Sequence, residues 1–313
     1  MGDKLIEVID LKKHFGSGIF KKSRTKAVDG VSFEICSKET FALMGESGCG
    51  KSTVGRCILN LVRPTEGHVF FKGTDIAGMN EMPRDLRKKI QVIFQDADGT
   101  LNPRMRVFDL LIEPFRVHQM DNGQGKEKVA ELIEMVNITP DLLGRYPHEL
   151  SGGQRQRIGI ARAMALSPEF IVADEPAASL DLSVQAQMLD LMKKFQAEQG
   201  IGYLFISHNL KVVKLMSDRV AVMYLGKLVE VGRTIDVFNS AKHPYTQALL
   251  SSVSVLDARY GRKRILLEGD MPSPMNPPAG CRFNTRCPYR EKRCMIEEPA
   301  LIGDNHIVAC HLK

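Results

Sequence analysis

An α/β fold with a mixed sheet, an antiparallel portion near its start and a helical insertion is predicted by three observations on this 313-residue chain. Gly45-Glu46-Ser47-Gly48-Cys49-Gly50-Lys51-Ser52 directly follows the apolar run Phe41-Ala42-Leu43-Met44, as a strand feeding a glycine-rich turn and then a helix would read. Short apolar runs at 170–173, 203–207 and 219–224 alternate with helical patterns, the rhythm of a parallel sheet. Between the glycine-rich turn and these runs, residues from about 96 to 149 read as mainly helical, with Gly123-Gln124-Gly125 as a turn.

In chain order, residues 6 to about 71 form the antiparallel portion and enclose the glycine-rich turn. The basic run Lys21-Lys22-Ser23-Arg24-Thr25-Lys26, beside Gly16 and Gly18, reads as an exposed loop between two N-terminal strands. The turn itself fits a phosphate-binding loop. Its glycines let backbone N–H groups cradle phosphate oxygens, Lys51 reaches the terminal phosphates, and the Ser52 hydroxyl, followed by Thr53, is a hard oxygen ligand for Mg²⁺. A helix starting near Lys51 also aims its positive dipole end at the anion. Residues 92–95 then form a strand leading into the insertion.

Asp174-Glu175 closes the apolar run at 170–173. Two acids at the end of a buried parallel strand are costly unless they act on something. Asp174 is expected to hold Mg²⁺, and Glu175 to orient or deprotonate an attacking water. His208 follows the run at 203–207, where an imidazole could contact the terminal phosphate.

Ahead of both runs stands Leu150-Ser151-Gly152-Gly153-Gln154, followed by Arg155-Gln156-Arg157 and a helical pattern through Ala165. With the phosphate loop before it and Asp174-Glu175 after it, this order closely resembles the ATP-binding subunits of ABC transporters over the whole chain. The resemblance implies an ABC-type ATPase cassette in which Phe15 stacks on adenine, Gln95 ligates Mg²⁺ and senses the permease, and Asp181 belongs to a loop exchanged between subunits. It further implies that Ser151, Gly152, Gly153 and Gln154 close over the ATP of a second, homologous ATPase subunit. From the residue pattern alone, Phe15 could equally be a strand residue packing inward. The exchanged loop departs from the family's serine-alanine-leucine-aspartate order, reading Ala178-Ser179-Leu180-Asp181.

Composition bounds the rest. A hydrophobic content of 43% supports a proper core, and no apolar run approaches the ~20 residues of a spanning helix. The first residues lack a signal peptide's plan, so the expected location is cytoplasmic, peripheral on the inner membrane. A net charge of +6 is spread along the chain, apart from short runs such as Arg262-Lys263-Arg264, and does not call for nucleic acid. A ribosome- or DNA-associated ATPase of this resemblance would carry two cassettes or a long coiled coil, and neither is visible. Glu175 and His208 speak against a module that binds nucleotide without hydrolysing it.

Past about residue 240 the pattern changes, which divides the chain into a cassette, 1–240 with a helical subdomain at about 96–165, and an extension, 241–313. His243-Pro244-Tyr245-Thr246-Gln247-Ala248-Leu249-Leu250 opens an amphipathic helix, and the proline-rich stretch at 269–281 is not helical. This tail resembles the C-terminal extension of oligopeptide and dipeptide importer ATPases, as does Leu101-Asn102-Pro103-Arg104-Met105. Related nickel and antimicrobial-peptide importers share it. The resemblance implies two transmembrane permease subunits and an extracytoplasmic peptide-binding protein as partners. Cys281, Cys287, Cys294 and Cys310 are separated by five, six and fifteen residues. A proline-rich tail that buries little needs a staple, and a reducing compartment leaves metal thiolates. The gaps are wider than a zinc knuckle's, and Cys287-Pro288 echoes ferredoxin-type ligation, so a [4Fe–4S] cluster is expected, as the family resemblance also implies. Zinc, with His306 or His311 supplying a ligand, is the alternative.

Overall fold

The computed structural model describes residues 3–16, 24–95, 97–178, 180–254 and 265–313, and the chain forms two compact units, Met1–Met79 with Phe205–Lys313, and Asn80–Leu204. Gly18, Lys21, Lys22, Ser23, Asp96, Ser179, Arg262, Lys263 and Arg264 from the sequence reading lie outside the described residues.

The first unit begins with two long antiparallel strands, β1 (Lys4–Gly16) and β2 (Arg24–Cys36). Their pairing runs out to Gly16 opposite Arg24, which corrects the loop expected over Arg24, Thr25 and Lys26. Those three residues are strand. β2 is the outer strand of its sheet, and its free side is partly covered: the Lys26 amide donates to the Pro274 carbonyl at 3.0 Å and the Asp29 amide to that of Gly226 at 2.9 Å, while Arg24 stays exposed. Then come β3 (Thr40–Met44), α1 (Lys51–Ile58), β4 (Glu66–Phe71) and β5 (Thr74–Asp75). The antiparallel sheet has the order β2-β1-β4-β5. β3 stays out of it, and all five of its residues are buried, which is why it reads as an unbroken apolar run.

The second unit holds α2 (Arg84–Lys89), β6 (Ile90–Ile93), α3 (Ala97–Thr100), α4 (Val107–Val117), α5 (Gly125–Met135), α6 (Gly152–Met164), β7 (Phe170–Asp174), α7 (Leu182–Gln199) and most of β8 (Gly202–Ile206). Its strands lie in the order β8, β7, β6, with β6 and β7 parallel from Ile90 opposite Phe170 to Ile93 opposite Ala173. β6 ends two residues before Gln95, earlier than the sequence suggests. The carbonyl of Phe94 is taken instead by the buried side chain of Gln156, whose Nε2 donates to it at 3.3 Å.

The first unit resumes with α8 (Leu210–Met216), β9 (Arg219–Tyr224), β10 (Lys227–Arg233), α9 (Thr234–Asn239), α10 (Pro244–Ser254) and β11 (His306–Val308). These strands order as β11-β10-β9-β3, with β9 parallel to β3 and antiparallel to β10. The β9–β10 turn is Leu225-Gly226, both at positive φ (45° and 82°), the conformation a tight hairpin requires.

The tail buries more than its proline content suggests, and that expectation is corrected. Phe283 is 1% exposed and closes an aromatic group with Tyr224 and Tyr245, ring centroids 4.7 to 5.5 Å apart. Ala42, Met44, Val220 and Val222 of the sheet share this core, so the tail and the strands behind the phosphate loop are packed as one body. Buried Glu230 ties them further: it accepts from the Lys242 and His243 amides at 2.7 and 2.9 Å and pairs with His306 at 2.6 Å. Among the described residues no helix is long and apolar enough to cross a membrane.

Candidate nucleotide site

β3 delivers the chain into a loop that only glycine can make at two points. Gly45 (φ 153°) and Gly50 (φ 113°) lie so close to the backbone that a Cβ would sit 2.2 Å from the Met223 carbonyl oxygen and 2.0 Å from that of Ala27. Lys51 is folded into the loop, 5% exposed, and its ammonium donates to the Gly45 and Glu46 carbonyls at 2.9 and 3.0 Å. Burying a lysine is expensive, and carbonyl acceptors offset the lost hydration. Ser47 and Gly48 are exposed at the tip, while Ser52 and Thr53 are half-buried in the first turn of α1. That turn has N–H groups with no partner in their own helix, which makes it an anion-binding end. Cys49 is buried, and burial pushes its thiol up, so it packs the loop as a neutral group.

In the same unit, the Ser207 amide donates to the Leu43 carbonyl at 3.3 Å, which sets the exposed His208 just beyond the strand that feeds the loop. Asn209 then caps α8 through the Lys211 and Val212 amides. Phe15 is 43% exposed near the end of β1, with Lys13 Nζ 5.0 Å from its ring centroid, and does not pack inward.

In the second unit, Asp174 is the last residue of β7 and Glu175 follows at φ 48°, a left-handed conformation unusual for a side chain of this kind. Such strain persists where the surroundings hold it, and it collects at working sites. Because β6 and β7 run parallel in register, Gln95, Asp174 and Glu175 all leave from the same end of paired strands. Gln95 is exposed there. Ser151 caps α6 in a reciprocal box with Gln154, at 3.3 and 2.9 Å, and presents Gly152 and Gly153 in the first turn. Asp181 is an N-cap too, accepting from Ser183 and Val184 at 3.0 Å. Gln156, which braces the segment into Gln95, was missed by sequence reasoning; only its place one turn after Gly152-Gly153 hints at it.

The four C-terminal cysteines are gathered but do not form a finished metal centre. The Cys281 amide donates to the Cys294 carbonyl at 2.8 Å, and no cysteine is in a disulfide. Burial, and then the neighbouring thiols, push Cys281 up to about 11 and raise Cys287 and Cys310. Among the described residues, no three His, Cys, Asp or Glu side chains converge to hold a metal ion. The donor set suits a cluster or zinc once the thiols are deprotonated. His306 is engaged by Glu230, and His311 Nε2 lies 2.9 Å from the Glu297 carbonyl oxygen.

Residues 28–178 match the family model described as ABC transporter, and residues 229–294 match the one described as oligopeptide/dipeptide transporter, C-terminal region. The chain is 50% identical to the putative oligopeptide transport ATP-binding protein YkfD of Bacillus subtilis, covering 98% of this chain and 95% of that protein. It is 46% identical to the dipeptide transport ATP-binding protein DppF of Escherichia coli, over 98% of this chain and 93% of the other. Among solved structures, it resembles the ATP-binding cassette MJ0796 in a dimeric post-hydrolysis state with ADP and Pi, with TM-score 0.65 and 25% identity over 74% of this chain and 99% of that one.

Proposed function

The chain belongs to the family of oligopeptide and dipeptide transport ATP-binding proteins, and from that premise we infer that it is the ATP-hydrolysing subunit powering peptide import across the cytoplasmic membrane. The observation that carries this reading is a fully folded phosphate loop, with Lys51 inside it, in a chain whose C-terminal region matches peptide transporters.

In this reading residues 45–53 cradle the triphosphate and Phe15 stacks on adenine. Ser52, Gln95 and Asp174 supply hard oxygens for Mg²⁺, which when bound neutralises charge on the terminal phosphates. Glu175 orients the attacking water and takes its proton, while His208 contacts the terminal phosphate. Ser151, Gly152, Gly153 and Gln154, at the exposed start of α6, serve the ATP of a second ATPase subunit, and Asp181 lies in the exchanged loop. The dimeric state of the similar cassette supports this arrangement. Gln95 relays nucleotide state to two transmembrane permeases, and an extracytoplasmic peptide-binding protein brings the cargo. The protein is then peripheral on the cytoplasmic side of the inner membrane. Residues 1–240 act as cassette, with 96–165 as its permease-facing subdomain, and 241–313 as extension. Cys281, Cys287, Cys294 and Cys310 hold a [4Fe–4S] cluster, with zinc the second reading; the group's role is to fix the tail.

Glu175→Gln is the test. It keeps size and deletes the base, so turnover should fall by ~10²–10⁴-fold while ATP still binds. A loss under about tenfold in steady-state hydrolysis would remove Glu175 from this role.

A further inference from the structure

Glu46, the second residue of the phosphate loop, is held at three points, and two of the groups holding it come from the far end of the chain. Its amide donates to the Tyr245 hydroxyl at 2.8 Å. Its carbonyl accepts from the Lys51 ammonium at 3.0 Å. Its carboxylate accepts twice from Arg286 Nη1, at 2.9 and 3.2 Å.

These holders are well fixed. Tyr245 is fully buried in α10, and Arg286, whose side chain is 9% exposed, lies 6.0 Å from the Tyr224 ring centroid and directly precedes Cys287. A charge-assisted hydrogen bond in such a shielded place is stronger and better directed than an exposed ion pair. The phosphate-loop pattern itself asks for neither residue.

We propose that Arg286 is a positioning residue for ATP binding: it fixes Glu46, the Glu46 carbonyl fixes the Lys51 ammonium, and the C-terminal segment thereby sets the affinity of the phosphate loop for ATP. The proposal rests on ATP binding by the loop and not on any metal at the cysteines. Without Arg286, Glu46 keeps an unpaired carboxylate beside the place of the phosphates, and its carbonyl loses one of the constraints that aim it at Lys51.

The test measures MgATP affinity of the full chain, and KM and kcat for ATP in the assembled importer. Arg286→Gln should weaken ATP binding about tenfold, the range of one hydrogen bond to a charged group, and raise KM while kcat at saturation stays within about twofold. Arg286→Lys, which keeps the charge, should recover part of the loss. Glu46→Ala should weaken binding as well, and the double variant Arg286→Gln/Glu46→Ala should be no weaker than the worse single, because both remove one contact. Wild-type ATP affinity in Arg286→Gln, or losses that multiply in the double variant, overturns the proposal. Should Arg286→Gln fail to fold, Glu46→Ala decides: unchanged ATP affinity overturns it, and a loss of about threefold or more sustains it.

Discussion

Replacing the Cys287 thiol separates a metal ligand from a packing residue. Cys281 and Cys287 pack against the core that contains Phe283 and Tyr245, so each could be retained for volume alone. Cys287→Ser is nearly isosteric. If the four thiols hold a [4Fe–4S] cluster, anaerobically purified protein should carry about four irons with matching sulfide, and the variant should lose them. One zinc and no sulfide selects the second reading, and a metal-free protein unaffected by the substitution removes both. At this scale the sequence was most informative where chemistry demands a residue type at a fixed spacing. Lys51, Ser52, Asp174 and Glu175 could be picked out because a phosphate loop and a strand-end acid pair tolerate few substitutes. Glu46 with Arg286 could not be, since the partners are 240 residues apart and no local pattern links them.

Elements followed the same logic. β3 and β7 were legible because strands buried on both faces read as apolar runs, and the start of α10 because Pro244 favours a first helical turn. β10 went unread: Lys227, Glu230 and Arg233 break its apolar run, and buried Glu230 obeys no alternation since its carboxylate serves α10 and β11. That junction has a pH signature. Burial pushes His243 down from 6.5 to about 4. In the unfolded chain His243 takes its proton near pH 6.5, and in the fold only near 4, so across that window the unfolded state binds more protons and stability drops as pH falls. The stability is fully present above about 6.5 and stops falling below about 4. From pH 7 to 4.5 this one group should remove roughly 2–3 kcal/mol, at 1.36 kcal/mol per unit. His243→Gln, which has no such titration, should lose correspondingly less in denaturant unfolding over the same range. Equal losses in the two proteins would show that His243 does not titrate this way.

At the scale of the molecule, the role proposed for the start of α6 makes hydrolysis depend on concentration. Ser151, Gly152 and Gly153 stand at the start of α6, where the reciprocal Ser151–Gln154 cap is made within the chain's own residues and fixes the segment's shape. Within its own unit the phosphate loop is likewise formed, with Lys51 held by loop carbonyls. On the proposed reading, in which Ser151-Gly152-Gly153 of one subunit closes over the ATP of the other, the rate is set by association, because each chain would bring a phosphate loop and a closing segment but complete neither site alone. The isolated subunit should therefore hydrolyse ATP with a rate per chain that falls on dilution through its association range, and the homologous ATPase subunit should restore it at fixed concentration. Ser151→Arg should behave as a partner defect: it leaves MgATP binding to its own loop within about twofold, yet removes the stimulation it gives to a wild-type partner, since a bulky cation at that helix end both blocks closure and opposes the helix dipole. A rate per chain that stays constant over a hundredfold dilution, with ATP saturating, would falsify the shared site and assign hydrolysis to the single chain.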